Sequence, residues 1–172
     1  MNSLKDTHHG ETAYIIGKGP SLKKLTPFDF GAGFLIVLYE ALSKIRELKL
    51  PNTTYSMQKD EVRIEPRWDE ILLLHSWESA KTKHPHQPQY IWNNNDLGLD
   101  EGNMNAGFSL QSAIRIAEFF GAKDITLYGF DAHTGGSMET MGDRDFEDHY
   151  RKQIRGMQNF EINVPHRYGS HL

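Results

Sequence analysis

Cysteine is absent from the 172 residues. That excludes disulfides, thiol nucleophiles and thiolate zinc sites together, and it fits a reducing compartment. Long apolar runs are missing too. No stretch approaches the length of a bilayer span, and the opening MNSLKDTHHGET lacks the apolar core of a signal peptide, so a soluble, cytoplasmic protein is expected. Neither sign of charge dominates: 19 basic and 23 acidic residues leave a net charge of −4, which disfavours bulk nucleic-acid binding and still permits a local basic pocket. No internal repeat or low-complexity tract interrupts the chain. Its length suits one compact domain spanning 1–172 and is too short for two ordinary ones.

Short apolar runs rich in β-branched and aromatic residues alternate with amphipathic stretches. The runs are AYIIG (13–17), FLIVLY (34–39), TTYSM (53–57), EILLLH (70–75), QYIWN (89–93) and DITLYGF (124–130). Continuous apolarity in several of them predicts strands buried on both faces. ALSKIRELKL (41–50) and AGFSLQSAIRIAEFFGA (106–122) carry Leu, Ile, Ala and Phe at helical spacing, with Gly121 as the stop of the second. Strands separated by helices predict a Rossmann-like three-layer α/β/α fold with a mostly parallel sheet, its strand order left open. Residues 1–11 read as a mobile lead-in, 76–90 as a surface connection, and 132–148 as a flexible loop leading into a helix from about Phe146 to Met157.

Three constellations carry chemistry. AYIIGKGPSLKKL (13–25) leaves an apolar run straight into glycines. In one reading Gly17, Lys18, Gly19, Pro20 and Ser21 wrap a phosphate with main-chain N–H groups, the Ser21 hydroxyl and the Lys18 charge; in the other the segment is a tight strand-to-helix turn with proline at its first helical position. NMNAGFSLQSA (103–113) sets Asn105 and Ser109 around Gly107 at a second junction, either as further ligand donors or as a helix N-cap. In LYGFDAHTGG (127–136), Asp131 follows a buried strand end and is read equally as a ligand contact or as a brace for the glycine loop, with His133 beside it.

Asn93 and its neighbours in QYIWNNND, with Trp92, suit a base or sugar, or else a turn beside a buried tryptophan; Asp60 ends the polar SMQKD with the same ambiguity. Nine histidines raise the question of a metal. His84, His86, His133 and His149 fall near Asp143, Asp145 and Asp148, yet no metal-ligand spacing joins them, so no resident metal is expected. A single histidine suits a general base near neutral pH, with His149 and His166 as the candidates and His133 behind them.

The blocks IIGKGPSL, LYEALSKIRELKLPNTTYSMQKD and NAGFSLQSAIRIAEFFGAKDITLYGFD resemble, in order and spacing across about residues 13–131, a Rossmann-like superfamily. It includes the 6-hydroxymethylpterin diphosphokinase-like (MptE-like) proteins, flagellin-associated motility accessory factors and the bacterial sialyltransferases that use CMP-sialic acid. Small phage proteins resemble the GAKDITLYGFD block as well, which implies a phage or bacterial host cytosol. The resemblance implies a nucleotide site made by Gly17 to Ser21, the strand end near Glu40, Asp60 and the Asn105 to Ser109 turn. The sialyltransferase-like members commonly carry asparagine where this chain has Glu40. Those enzymes need no metal cofactor and place a histidine base well downstream, where His166 falls by distance.

The expected function is a nucleotide-binding transferase of glycosyltransferase type, using a nucleotide-activated sugar donor. Two alternatives stay open: pyrophosphoryl transfer from ATP to a pterin, which requires Mg²⁺, and a small non-catalytic phage-type protein that sequesters a nucleotide. The expected partner is thus a small nucleotide ligand, with self-association left open.

Overall fold

The computed structural model describes residues 1–58, 67–75, 89–93, 97, 109–130 and 162–163. In chain order these form β1 (Thr12–Ile16), β2 (Phe34–Leu38), α1 (Ala41–Leu48), β3 (Thr53–Gln58), β4 (Glu70–His75), β5 (Gln89–Trp92), α2 (Ser109–Phe119), β6 (Asp124–Tyr128) and β7 (Ile162–Asn163), with short 3-10 turns at Asn2–Leu4, Pro20–Lys24 and Pro27–Asp29. The strands make one sheet in the order β5-β4-β3-β2-β1-β6-β7. Every pairing among them is parallel, with Ile15 opposite Ile36 of β2 on one side and Leu127 of β6 on the other. The Rossmann-like α/β architecture read from the alternation is the architecture found.

FLIVL becomes β2 because all five of its side chains are buried, a condition met only by a strand covered on both faces. On one face Ile15, Ile36, Tyr55 and Met57 pack under Ala113 and Ile114 of α2. On the other, Tyr14, Ile16, Leu35 and Val37 pack under Leu42 and Ile45 of α1. Each Ile, Leu, Val or Met side chain among them contributes roughly 1.5–3 kcal/mol by leaving water. α1 ends at Lys49, which takes the left-handed conformation (φ 52°) usually left to glycine. α2 is followed by Gly121 at φ +89°, so the expected glycine stop is where the sequence put it.

Arg46 of α1 joins this layer to β4. Its Nε donates to Glu70 Oε1 at 2.7 Å and a terminal nitrogen donates to Oε2 at 2.8 Å, a two-pronged contact. Glu70 is 5% exposed and also accepts the Arg67 main-chain N–H, so the carboxylate has a donor on each oxygen. The Glu70 hydrogen bond raises the pKa of Arg46 above its ordinary value, although partial burial acts in the opposite direction.

The first eleven residues depart from the expected mobile lead-in. Leu4 is buried, and the main-chain N–H groups of Asp6, His8 and Gly10 donate to the carbonyls of Phe119, Phe120 and Gly121. His8 stacks on Phe34 with centroids 4.2 Å apart, meets Tyr55 Oη through Nε2 at 2.8 Å and Glu11 through Nδ1 at 3.1 Å. The segment is fixed by backbone bonds along the α2–β6 turn, a cause that leaves little trace in a polar sequence.

Two phenols in this core titrate far from their usual range. Burial pushes both Tyr55 and Tyr128 up to about 12. An unfolded tyrosine ionises near 10, so below about pH 10 both states keep the proton and this stabilisation is complete. Between about 10 and 12 the unfolded chain releases protons that the native chain holds, and stability falls as pH rises. Urea midpoints taken at stepped pH should therefore hold until about 10 and then drop, with a shallower drop in Tyr55→Phe. A midpoint unchanged across that window would contradict the buried setting of both rings.

Candidate functional site

A parallel sheet brings the carboxyl ends of all its strands to one edge, so the residues just beyond each strand share a surface. Gly17 and Lys18 follow β1, Tyr39 and Glu40 follow β2, Asn93 follows β5, and Gly129 and Phe130 follow β6. The chain runs outward from β1 to β5 on one side and then returns to place β6 on β1's other side. The connection leaving β1 packs Leu22 and Leu25 on the α1 face, whereas α2, which leads into β6, lies on the opposite face. The carboxyl edge beside such a reversal of strand order is where open α/β sheets take their ligands.

The glycines at the β1 exit serve a purpose different from the expected phosphate cradle. The Gly17 N–H donates to the Tyr128 carbonyl at 2.7 Å and the Gly19 N–H to the Gly129 carbonyl at 2.7 Å, so both amides are committed to the exit of β6. A Cβ on Gly17 would lie 2.6 Å from the Gly129 oxygen, and one on Gly129 would lie 2.5 Å from the Gly17 oxygen. The two exits form a backbone seam too close for side chains. Pro20 opens the 3-10 turn in the first helical position and Ser21 is 1% exposed, which matches the strand-to-turn reading of this segment.

What the seam presents to the edge is Lys18. Its Nζ lies 3.5 Å from Glu40 Oε2 and 5.0 Å from the centroid of the Tyr39 ring. Tyr39 holds a positive φ of 49°, an uncommon and costly conformation for a bulky residue. Its hydroxyl meets Ser109 Oγ at 3.1 Å and its main-chain N–H donates to Met57 O at 3.3 Å, so it ties the exit of β2 to β3 and to the start of α2. Lys18, Glu40 and Ser109 are thereby brought into one cluster. The sequence offers no reason to single out Tyr39; strain and contacts identify it, and its residue type does not.

Asn93 shares the edge and little else. β5 lies four strands from β1, or roughly 19 Å at normal strand spacing, so Asn93 stands well apart from Lys18. Trp92 is fully buried in the core, which selects the buried-tryptophan reading over base stacking. Ser56 and Gln58 at the end of β3 are also buried, with Gln58 Nε2 donating to Ser56 Oγ at 2.9 Å. Asp60, Asn105, Gly107, Asp131, His133, His149 and His166 lie outside the described residues, as do His84, His86, the three aspartates near His149 and the helix expected from Phe146. At the opposite edge a groove of about 480 Å³ opens between Phe30, Leu48, Leu50 and Pro51, remote from this cluster. Among the described residues no helix is long and apolar enough to cross a membrane.

No protein-family model matches the chain, and no curated protein matches it significantly. Solved structures do. A mammalian sialyltransferase superposes with a TM-score of 0.59 at 14% identity, over 89% of this chain and 68% of its own. The structure of a mammalian sialyltransferase in complex with Gal-β-1,3-GalNAc-ortho-nitrophenol gives a TM-score of 0.60 at 14% identity, over 89% of this chain and 69% of its own. At that identity the likeness is one of fold.

Proposed function

We propose that the chain is a nucleotide-binding transferase of glycosyltransferase type, taking a nucleotide-activated sugar as donor and needing no metal. The observation that carries this reading is Lys18 at the β1 exit, beside the reversal of strand order, with Glu40, Tyr39 and Ser109 gathered around it. A fold shared with sialyltransferases supports the choice of sugar transfer. In this reading Lys18 attracts the donor phosphate, the edge around it orients the sugar, and His149 or His166 removes the proton from an acceptor hydroxyl. The departing nucleotide phosphate keeps the Lys18 charge as its counter-ion, so charge developing on the leaving group meets a cation already in position.

A thermal-shift panel tests it. CMP, CDP-sugars, UDP-sugars, ATP and a pterin are each added with and without Mg²⁺. A cytidine or uridine nucleotide at a hundred times its Kd should stabilise the native state by about 2.7 kcal/mol, with or without the metal. Stabilisation by ATP only when Mg²⁺ is present would replace this reading with pyrophosphoryl transfer. A tight nucleotide complex whose donor is recovered unchanged after long incubation would make the protein a binding module. No shift with any nucleotide would sink the nucleotide site altogether.

A further inference from the structure

We infer that Lys18 is a shared cation whose carboxylate partner, Glu40, yields it to the phosphate of an arriving nucleotide, so that Glu40 sets how much negative charge a ligand must bring. The inference rests on the reading of this edge as a nucleotide site and adds the element that regulates it.

Two cation–carboxylate pairs of this chain differ in kind. Arg46 and Glu70 sit at 2.7 Å with side chains 19% and 6% exposed, a contact built to stay closed. Lys18 and Glu40 sit at 3.5 Å with side chains 24% and 39% exposed. That separation lies beyond the 2.7–2.9 Å typical of a charge-assisted hydrogen bond, so the pair is not locked, while Glu40 Oε2 is itself shielded from water, so giving up Lys18 has a cost that an arriving ligand must meet. It stands at the carboxyl edge beside the strand reversal, whereas Arg46 lies on α1 facing β4.

Tyr39 makes the exchange workable. Its ring lies 5.0 Å from Nζ and gives the ammonium a second, uncharged contact that remains when the carboxylate is displaced. The ring is held in place by the Ser109 hydrogen bond and by a backbone conformation (φ 49°) that a tyrosine adopts only under constraint from its surroundings. A phosphomonoester carries a charge of about −1.5 to −2 near neutral pH and out-competes a single carboxylate for one lysine. An uncharged nucleoside has no claim on it. Glu40 therefore acts as a threshold: it repels and competes with every anion, and the ligand class that overcomes it is a nucleotide bearing a phosphate, preferably a dianionic one.

The test is calorimetric titration of cytidine monophosphate and of cytidine into the wild type, Glu40→Gln, Glu40→Asp and Lys18→Met, each first checked for an unchanged thermal midpoint. Lys44→Met and Glu47→Gln, from an exposed pair at 3.3 Å on α1, serve as charge-matched controls. Glu40→Gln should tighten the monophosphate by about 3–10-fold, and Lys18→Met should weaken it about 10-fold, with cytidine within about two-fold of wild type in both. Glu40→Asp, which keeps the charge, should stay near wild type, and the controls should match it. Monophosphate affinity unaltered or lowered in Glu40→Gln, with the wild type binding it, would overturn the exchange alone. Equal effects on cytidine and its monophosphate would do the same. Failure of the wild type to bind any nucleotide would overturn both the exchange and the reading beneath it.

Discussion

Gly129→Ala is expected to lower the stability of the native state by about 3–5 kcal/mol, enough to leave a domain of this size barely folded. Two penalties add. Gly129 sits at φ +71°, where an L side chain costs roughly 1–2 kcal/mol, and its new Cβ would stand 2.5 Å from the Gly17 carbonyl oxygen and 2.9 Å from Leu22. The oxygen belongs to a main chain hydrogen-bonded on through Gly19, so it has nowhere inexpensive to go. Gly10 supplies the comparison, because it has a similar φ of +76° and a methyl group added there would meet nothing within 4 Å. Gly10→Ala should lose only the conformational part, about 1–2 kcal/mol. Urea unfolding of both variants separates strain from collision. Equal losses in the two would mean that the seam between the β1 and β6 exits is looser than its distances require.

The other large effect is kinetic. If a histidine deprotonates the acceptor hydroxyl, replacing it with alanine should reduce kcat by about 10²–10⁴-fold while donor affinity changes little, because general-base assistance is felt in the transition state and not in the ground-state complex. His166→Ala and His149→Ala are assayed with a CMP-sugar donor, reading donor Kd by titration and turnover by nucleotide release. One of the two should show the split. The catalysed rate should also rise with pH through the titration of that imidazole, a limb that the deficient variant loses. Parallel loss of affinity and turnover in both variants would remove histidine from the chemistry.

Much of the fold is legible in the sequence because the signals are local. FLIVL is short, holds β-branched residues and follows Gly31 and Gly33, which marks a two-sided buried strand, and the spacing of Leu110, Ala113, Ile114 and Ala117 marks a helix face without reference to anything distant. The order of strands is not legible, since no residue states its neighbour in space; hence Asn93 reads as a companion of the glycine turn although β5 is four strands away. Gly17 shows the same limit in another form. Its lack of a side chain correctly signals a need for bare backbone, but the group that needs to come close is the carbonyl of Gly129, 112 residues later in the chain, and not an anion. Tyr39 and Lys49 take left-handed conformations that glycine or asparagine would have advertised. The first eleven residues read as mobile because Asp6, His8 and Gly10 hold on through main-chain N–H groups, which every sequence possesses.

The central place of β1 bears on how the protein is born. Its first partner, β2, leaves the ribosome soon after it, whereas its second partner, β6, is synthesised only after the rest of the β1–β5 half has emerged. Until then the nascent half-sheet carries an uncapped strand with apolar faces and unpaired amides, open to any passing extended chain. Slow elongation between β5 and β6 would prolong that exposure. Expression yield should accordingly depend on codon choice and chaperone supply over that interval more than over any other.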